Sequence, residues 1–130
     1  MSDEKKVFKD LTKFTVKRSD WLRGKGSDES GLLLDGKMCC LGFYAKAQGF
    51  SDEELKEATS PGDLVCNTLC DPKSRLIDYR SQYGTMRHCD SVEGVVLMTT
   101  NDDQYILDEV REKSLKEDFL KLGVEVEFVD

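Results

Sequence analysis

At 130 residues the chain is long enough for one domain that buries about 65–70% of its unfolded surface, so no disulfide or metal staple is needed to hold a core. It carries 19 Lys+Arg against 26 Asp+Glu, a net charge of −7, and the two signs interleave along its length, which excludes a basic stripe for non-specific nucleic-acid binding. Five cysteines, no basic start followed by an apolar run, and no apolar stretch of membrane-spanning length point to reduced thiols in the cytoplasm and to no membrane contact.

After a polar start at residues 1–9 that is expected to fray, "TKFTVKR" (12–18) alternates and reads as a half-buried strand with Phe14 and Val16 inward. Ser19 is placed to cap one helical turn carrying Trp21 and Leu22, with Gly24 free to take a left-handed end. In "GLLLDGKMCCLG", Asp35-Gly36 between apolar flanks marks the two-residue turn of a hairpin near 32–40. Leu32 and Leu34 would then lie opposite Met38 and Cys40, with Cys39 and Cys40 on opposite faces. The chain turns helical near Leu41 and stops at Gly49. "FSDEEL" follows, with Ser51 as N-cap, Glu54 completing a capping box and Phe50 set to pack on Leu55, so a short helix is expected over 52–58.

Residues 60–90 carry no clear pattern. "GVVLMTT" (94–100) is short, apolar and rich in β-branched residues, which predicts a buried strand broken by "NDD". Tyr105 to Leu122 (105–122) is the longest expected helix. Its pairs Glu109/Lys113, Glu112/Lys116 and Glu117/Lys121 stand at i,i+4 in the better orientation, each contributing about 0.2–0.5 kcal/mol. Leu115, Phe119 and Leu122 share its apolar face, and Val110 and Leu120 fall off it. Gly123 ends the helix, and "VEVEFV" closes as a strand with Val124, Val126 and Phe128 inward. The predicted class is α+β. It is a single domain over 1–130, with a small, mostly antiparallel sheet including the 32–40 hairpin, packed by about three helices.

Chemistry is constrained by a single histidine. His88 adjoins Cys89, but sequence neighbours point in different directions, so they make no nucleophile–base pair, and no catalytic residue is assigned. Cys66 and Cys70, with His88-Cys89 and Cys39-Cys40, could supply four ligands, yet neither pair has the two-residue spacing of a zinc knuckle; no metal and no cofactor are expected. Asp102-Asp103, before Asp108-Glu109, sits at the expected strand-to-helix junction, where acids favour the helix N-terminus. "RGKGS" lacks the spacing of a phosphate-binding Walker loop. Even so, Gly24 and Gly26 free backbone amides for an anion, Arg23, Lys25 and Ser27 add charge and hydrogen bonds, and Trp21 offers a stacking face. The plainer expectation is a connecting loop with Trp21 half-buried under the hairpin.

The segments "RSDWLRGKGS", "GKMCCLGF", "NDD" and "GVEVEFV" together form a pattern, RxxWLRGxGS…GKMCCLGF…NDD…GVxVxFV, that resembles a group of small uncharacterised proteins encoded by bacteriophages and prophages. The resemblance covers about the first fifty and the last thirty residues, and residues 60–90 lie outside it. It implies a phage setting in the cytoplasm of a bacterial host. It also places Trp21, Arg23, Gly24, Gly26, Ser27, Cys39, Cys40, Asn101 and Asp102 inside the shared motif without giving them roles. The leading expectation is a non-enzymatic interaction protein, monomeric or weakly dimeric, that binds a host or phage macromolecule, as an inhibitor for example. The alternative is a binder of a nucleotide or other phosphate-bearing small molecule through the 21–28 loop, with Trp21, Arg23, Gly24, Lys25, Gly26, Ser27, Asn101 and Asp102 as candidate ligand contacts. A small hydrolase comes third.

Overall fold

The computed structural model describes residues 12–24, 32–34, 36–56, 58, 60, 64, 77–82, 85–90 and 92–130, with 77–82, 85–90 and 92 described through their backbone alone. In chain order the elements are β1 (Lys13–Lys17), a 3₁₀ turn (Arg18–Asp20), α1 (Cys40–Gln48), α2 (Asp52–Lys56), β2 (Ile77–Gln82), β3 (Thr85–Asp90), α3 (Val92–Asp102), α4 (Asp108–Lys121) and β4 (Glu125–Val129). The class is mixed α+β.

The sheet is not mostly antiparallel. β1 pairs in parallel with β4, Lys13 opposite Glu125 and Lys17 opposite Val129, while β2 and β3 form a separate antiparallel pair. The alternation predicted for 12–18 and 124–129 is present: Phe14, Val16, Val124, Val126 and Phe128 are buried. Such one-sided alternation is the habit of antiparallel sheets, whereas parallel strands are usually covered on both faces. Charge stands in for the second cover here. Lys13 Nζ lies 3.3 Å from a Glu127 carboxylate oxygen and 3.9 Å from one of Glu125 on the solvent side.

α4 packs against both β4 and α3, and α1 packs against β1 and α3. Phe14 from β1 meets Phe119 edge-on at 5.0 Å and Tyr44 at 5.4 Å, so strand and both helices share one aromatic contact. Leu115 and Phe119 of α4 are fully buried, while Val110 and Leu120 are exposed, as the apolar stripe requires. α4 starts at Asp108, three residues later than expected. Glu112 turns to another partner than the expected helix neighbour: it accepts two hydrogen bonds from Arg18, at 2.9 and 2.7 Å, and Arg18 also reaches Asp130 at 3.0 Å. This fork fastens the turn after β1 to α4 and to the end of β4, and it holds the Arg18 guanidinium far above its ordinary pKa through the bond to Glu112.

The Ser51 capping box is formed. The Glu54 amide donates to Ser51 Oγ at 3.2 Å, and the Ser51 amide donates to Glu54 Oε1 at 2.9 Å. The helix it starts spans Asp52–Lys56, and Glu57 lies outside the described residues. Gly49 ends α1 with φ 130°.

Three local expectations are corrected. First, the segment 94–100 is not a strand but the body of α3. Gly94, Leu97 and Asn101, spaced three and four apart, are its buried positions, whereas Val95 and Val96 are 48% and 44% exposed. Helical spacing to the core outweighs the β-branched run. Second, the hairpin near 32–40 shrinks to its turn: Leu34 and Lys37 exchange two hydrogen bonds around Gly36, whose φ is 80°, and among the described residues no strands extend from them. Met38 pairs in parallel with Trp21 instead, and Cys40 opens α1, so Cys39 and Cys40 are both buried rather than on opposite faces. Third, Ser19 lies inside the 3₁₀ turn and caps nothing, and Trp21 follows in extended conformation. Trp21 is 2% exposed, not half-buried.

Burial pushes the Cys39 thiol up to about 12 and Cys40 well above its usual value. Both should resist iodoacetamide at neutral pH in the folded protein and react in guanidinium chloride, as peptide mass mapping would report. A thiol raised on folding is neutral in the native state. The unfolded chain ionises first, so stability should fall as pH rises above about 9. Cys66 and Cys70 lie outside the described residues, and for His88 and Cys89 only the backbone of β3 is described.

Candidate functional site

Asn101 organises the region that the sequence singled out. Its carbonyl oxygen Oδ1 accepts from Trp21 Nε1 at 2.8 Å and from the Cys40 amide at 3.1 Å. Its Nδ2 donates to the Leu22 carbonyl at 3.0 Å and to Asp102 Oδ1 at 3.0 Å. Its own main-chain carbonyl accepts from the Gly24 amide at 2.8 Å. One fully buried side chain thus joins the end of α3 to the start of α1 and to the strand-like segment 21–24. A polar group at 0% exposure persists only because every bond it needs is made inside.

Beside it lies a cleft of 390 Å³ lined by Trp21, Leu22, Arg23, Gly24, Lys37, Ile106, Asp108 and Arg111. Asp108, at the start of α4, links two arginines: Arg23 donates to its Oδ2 at 2.9 Å, and the buried Arg111 bonds its Oδ1. Arg23 also donates to the Arg18 and Trp21 carbonyls at 3.2 and 3.1 Å and stands 4.5 Å above the indole ring. Arg111 donates to the carbonyls of Asp103 and Ile106, tying down the loop between α3 and α4. The Nε atoms of both arginines are buried without a partner among the described residues. Gly24 takes φ 66° here, and a Cβ on it would stand 3.0 Å from the Arg111 guanidinium.

The hydrogen bond from Arg23, reinforced by Arg111, holds the Asp108 carboxyl below its ordinary pKa against the opposing effect of partial burial. The stability it contributes is present above the ordinary carboxylate pKa and is lost as pH falls through the lowered one. Asp108 is 48% exposed, so the effect is screened by solvent. The stability gap between the parent and Asp108→Asn should therefore be modest at neutral pH and close on acidification, as urea titrations at a series of pH values would show.

These contacts change the meaning of the opening motif. Trp21 offers no stacking face to a ligand: its ring is 4.8 Å from that of Phe128 and covered by Arg23. The Gly24 amide and the terminal nitrogens of Arg23 and Arg111 already donate to protein oxygens. Lys37 is the cation of the cleft with no ion-pair partner among the described residues. Lys25, Gly26 and Ser27 lie outside the described residues. Asp102 ends a helix rather than a strand, so Asp102-Asp103 stand at the C-terminus of α3, and of these four acids Asp108 and Glu109 alone occupy a helix start.

A second concavity was missed by sequence reasoning. Val95, Met98, Thr99 and Asp102, at i, i+3, i+4 and i+7 along α3, face Asp103, Gln104 and Tyr105 across a groove of 510 Å³. Tyr105 is 92% exposed and Leu107 73%. The Tyr105 amide donates to Asp103 Oδ1 at 2.8 Å, which sets the loop that presents the ring. The signal available in sequence was the segment from Val92 to Val110, which contains acids but no Lys, Arg or His.

No helix among the described residues is long and apolar enough to cross a membrane. Comparison with protein-family models, with curated proteins and with solved structures finds no match to this chain.

Proposed function

We propose that this chain is a small, acidic, non-enzymatic interaction protein that binds a host or phage macromolecule, with α3 and the 103–107 loop as its contact face. The observation that carries the reading is large apolar side chains left in solvent on a domain with 35% charged residues: Tyr105, Leu107, Val95 and Val96. Two of them, Val95 and Tyr105, line the same groove, and exposed apolar surface at a preformed groove marks interaction sites. The phage setting and the bacterial cytoplasm rest on the motif resemblance. The test is a photo-cross-linking amino acid placed at Tyr105 and, as control, at Thr15 on the solvent side of β1, in the bacterium that carries the gene. A discrete adduct from the first site and none from the second supports the reading. Equal adducts, or none, would refute it.

The phosphate-binding alternative keeps one specific support, the cleft with Arg23, Arg111 and Lys37, the last without an ion-pair partner among the described residues. Inorganic phosphate or nucleotide should then raise the melting temperature of the parent but not of Lys37→Ala.

A further inference from the structure

Resting on that reading, we infer that the α3 groove receives a cationic amphipathic segment of a partner protein: apolar side chains seat against Val95, Met98 and Tyr105, and Lys or Arg meets the acids around them. Three observations converge. First, α3 is apolar on two sides. Leu97 faces the core at 0% exposure while Val95, at 48%, lines the groove with Thr99 and with Met98, which is partly buried against the core, so the helix leaves apolar surface that folding does not bury. Second, the chain segment that carries this surface is acidic, and two of its acids, Asp102 and Asp103, line the groove itself. Glu93, Asp102, Asp103, Asp108 and Glu109 fall between Val92 and Val110 with no basic residue among them. Of these, Asp108 is neutralised by Arg23 and Arg111, while Glu93, Asp103 and Glu109 have no ion-pair partner among the described residues. Third, the groove needs no assembly, since the Asp103 carboxylate and the buried Arg111 already hold the loop that forms its far wall.

Charge selects among occupants. A second copy of this chain would bring another −7 against an acidic face, and anionic lipid surfaces and nucleic acid are repelled for the same reason. An uncharged apolar segment would leave the acids to be partly desolvated without compensation. A helix with Leu-type anchors at i, i+3, i+4 and i+7 and Lys or Arg flanking them matches both features, the recognition mode in which an amphipathic helix lies in an apolar groove.

The experiment uses the full chain and three synthetic peptides of equal length, read by fluorescence anisotropy: Leu/Lys at helical spacing, Ser/Lys with the same charge, and Leu/Glu with the same apolar face. Leu/Lys should bind at least about tenfold more tightly than either control. Val95→Ser and Tyr105→Ser should weaken it by about tenfold, and Asp103→Asn, at an acid that lines the groove, should reduce its salt dependence. Leu120→Ser, which removes an exposed apolar side chain outside the groove, should change nothing. Both serine positions are exposed, so the variants should keep the parent melting temperature. Equal binding of Ser/Lys and Leu/Lys, or Leu/Lys binding unaffected by the groove variants, would overturn the inference by showing attraction to net charge alone. Identification of the adduct formed at Tyr105 separates the two claims. A partner cross-linked through an acidic or uncharged segment sinks the inference and leaves the interaction reading standing. Absence of any adduct removes the reading itself.

Discussion

Gly42→Ala should destabilise the protein by about 3 kcal/mol, the upper part of the range for overpacking a close-packed site. A Cβ built on Gly42 would stand 2.0 Å from the Leu32 carbonyl oxygen, 2.9 Å from its carbon and 3.0 Å from Met38 Cβ. The first two neighbours are backbone, so no rotamer change relieves the clash, and the 32–34 segment or α1 must move. Ordinary helix propensity favours alanine over glycine by about 1 kcal/mol, so the predicted sign runs against propensity. Gly36→Ala provides the contrast. Nothing lies within 4 Å of a Cβ there, and only its φ of 80° is unfavourable, for a cost of about 1 kcal/mol. Urea unfolding followed by the fluorescence of the single tryptophan would measure both. A Gly42→Ala variant as stable as the parent would show that α1 does not approach Leu32 this closely.

Asn101→Leu should cost about 4 kcal/mol, because it strands several buried groups at about 1–3 kcal/mol each. The Trp21 indole N–H, the Cys40 amide and the Leu22 carbonyl would all lose their partner while staying in the core. Asn101→Asp separates hydrogen bonding from volume. The new carboxylate keeps the acceptor for Trp21 and Cys40 but loses the donor to Leu22 and sets a second negative charge beside Asp102. Its folded-state pKa should be raised, so the variant should regain stability as pH falls, when a protonated carboxyl can donate again. Trp21 emission should shift to the red in Asn101→Leu even under native conditions if the indole relaxes toward solvent. An unshifted spectrum together with parent-like stability would show that the network contributes little.

The elements legible in the sequence are those whose information is local. The alternation around Phe14 and Val126, the Ser51–Glu54 box and the stop at Gly49 each need only a handful of neighbouring residues. What escaped depends on partners far along the chain. The parallel pairing of β1 with β4 leaves no local mark, since the same alternation serves an antiparallel neighbour equally well. The run at 94–100 reads as a strand in sequence because its β-branched residues suggest burial, whereas Val95 and Val96 are about half exposed and the core positions of α3 include a polar residue, Asn101. Trp21 and Asn101, 80 positions apart, both stood in the quoted motif, yet nothing in either neighbourhood announces that one receives a hydrogen bond from the other. The Arg23–Asp108–Arg111 cluster was hidden in the same way: Arg23 read as a candidate anion contact and Asp108 as a helix-start acid, and their meeting is a tertiary event. The groove along α3 was obscured by the misreading of its backbone, because a strand would have sent Val95 and Met98 to opposite faces.

The pairing of β1 with β4 also has a consequence in time. Lys13 to Lys17 leaves the ribosome before its hydrogen-bonded neighbour, Glu125 to Val129, has been synthesised. Arg18, next in the chain, likewise waits for Glu112 and for Asp130, 112 positions away. Phe14 and Val16 are therefore left without their strand partner while the more than one hundred intervening residues are made. Contacts of such sequence separation carry a large loop-closure cost and slow folding. The alternating lysines of β1 then serve a second purpose: they keep an unpaired, half-apolar strand soluble and poorly suited to pairing with another nascent chain while it waits.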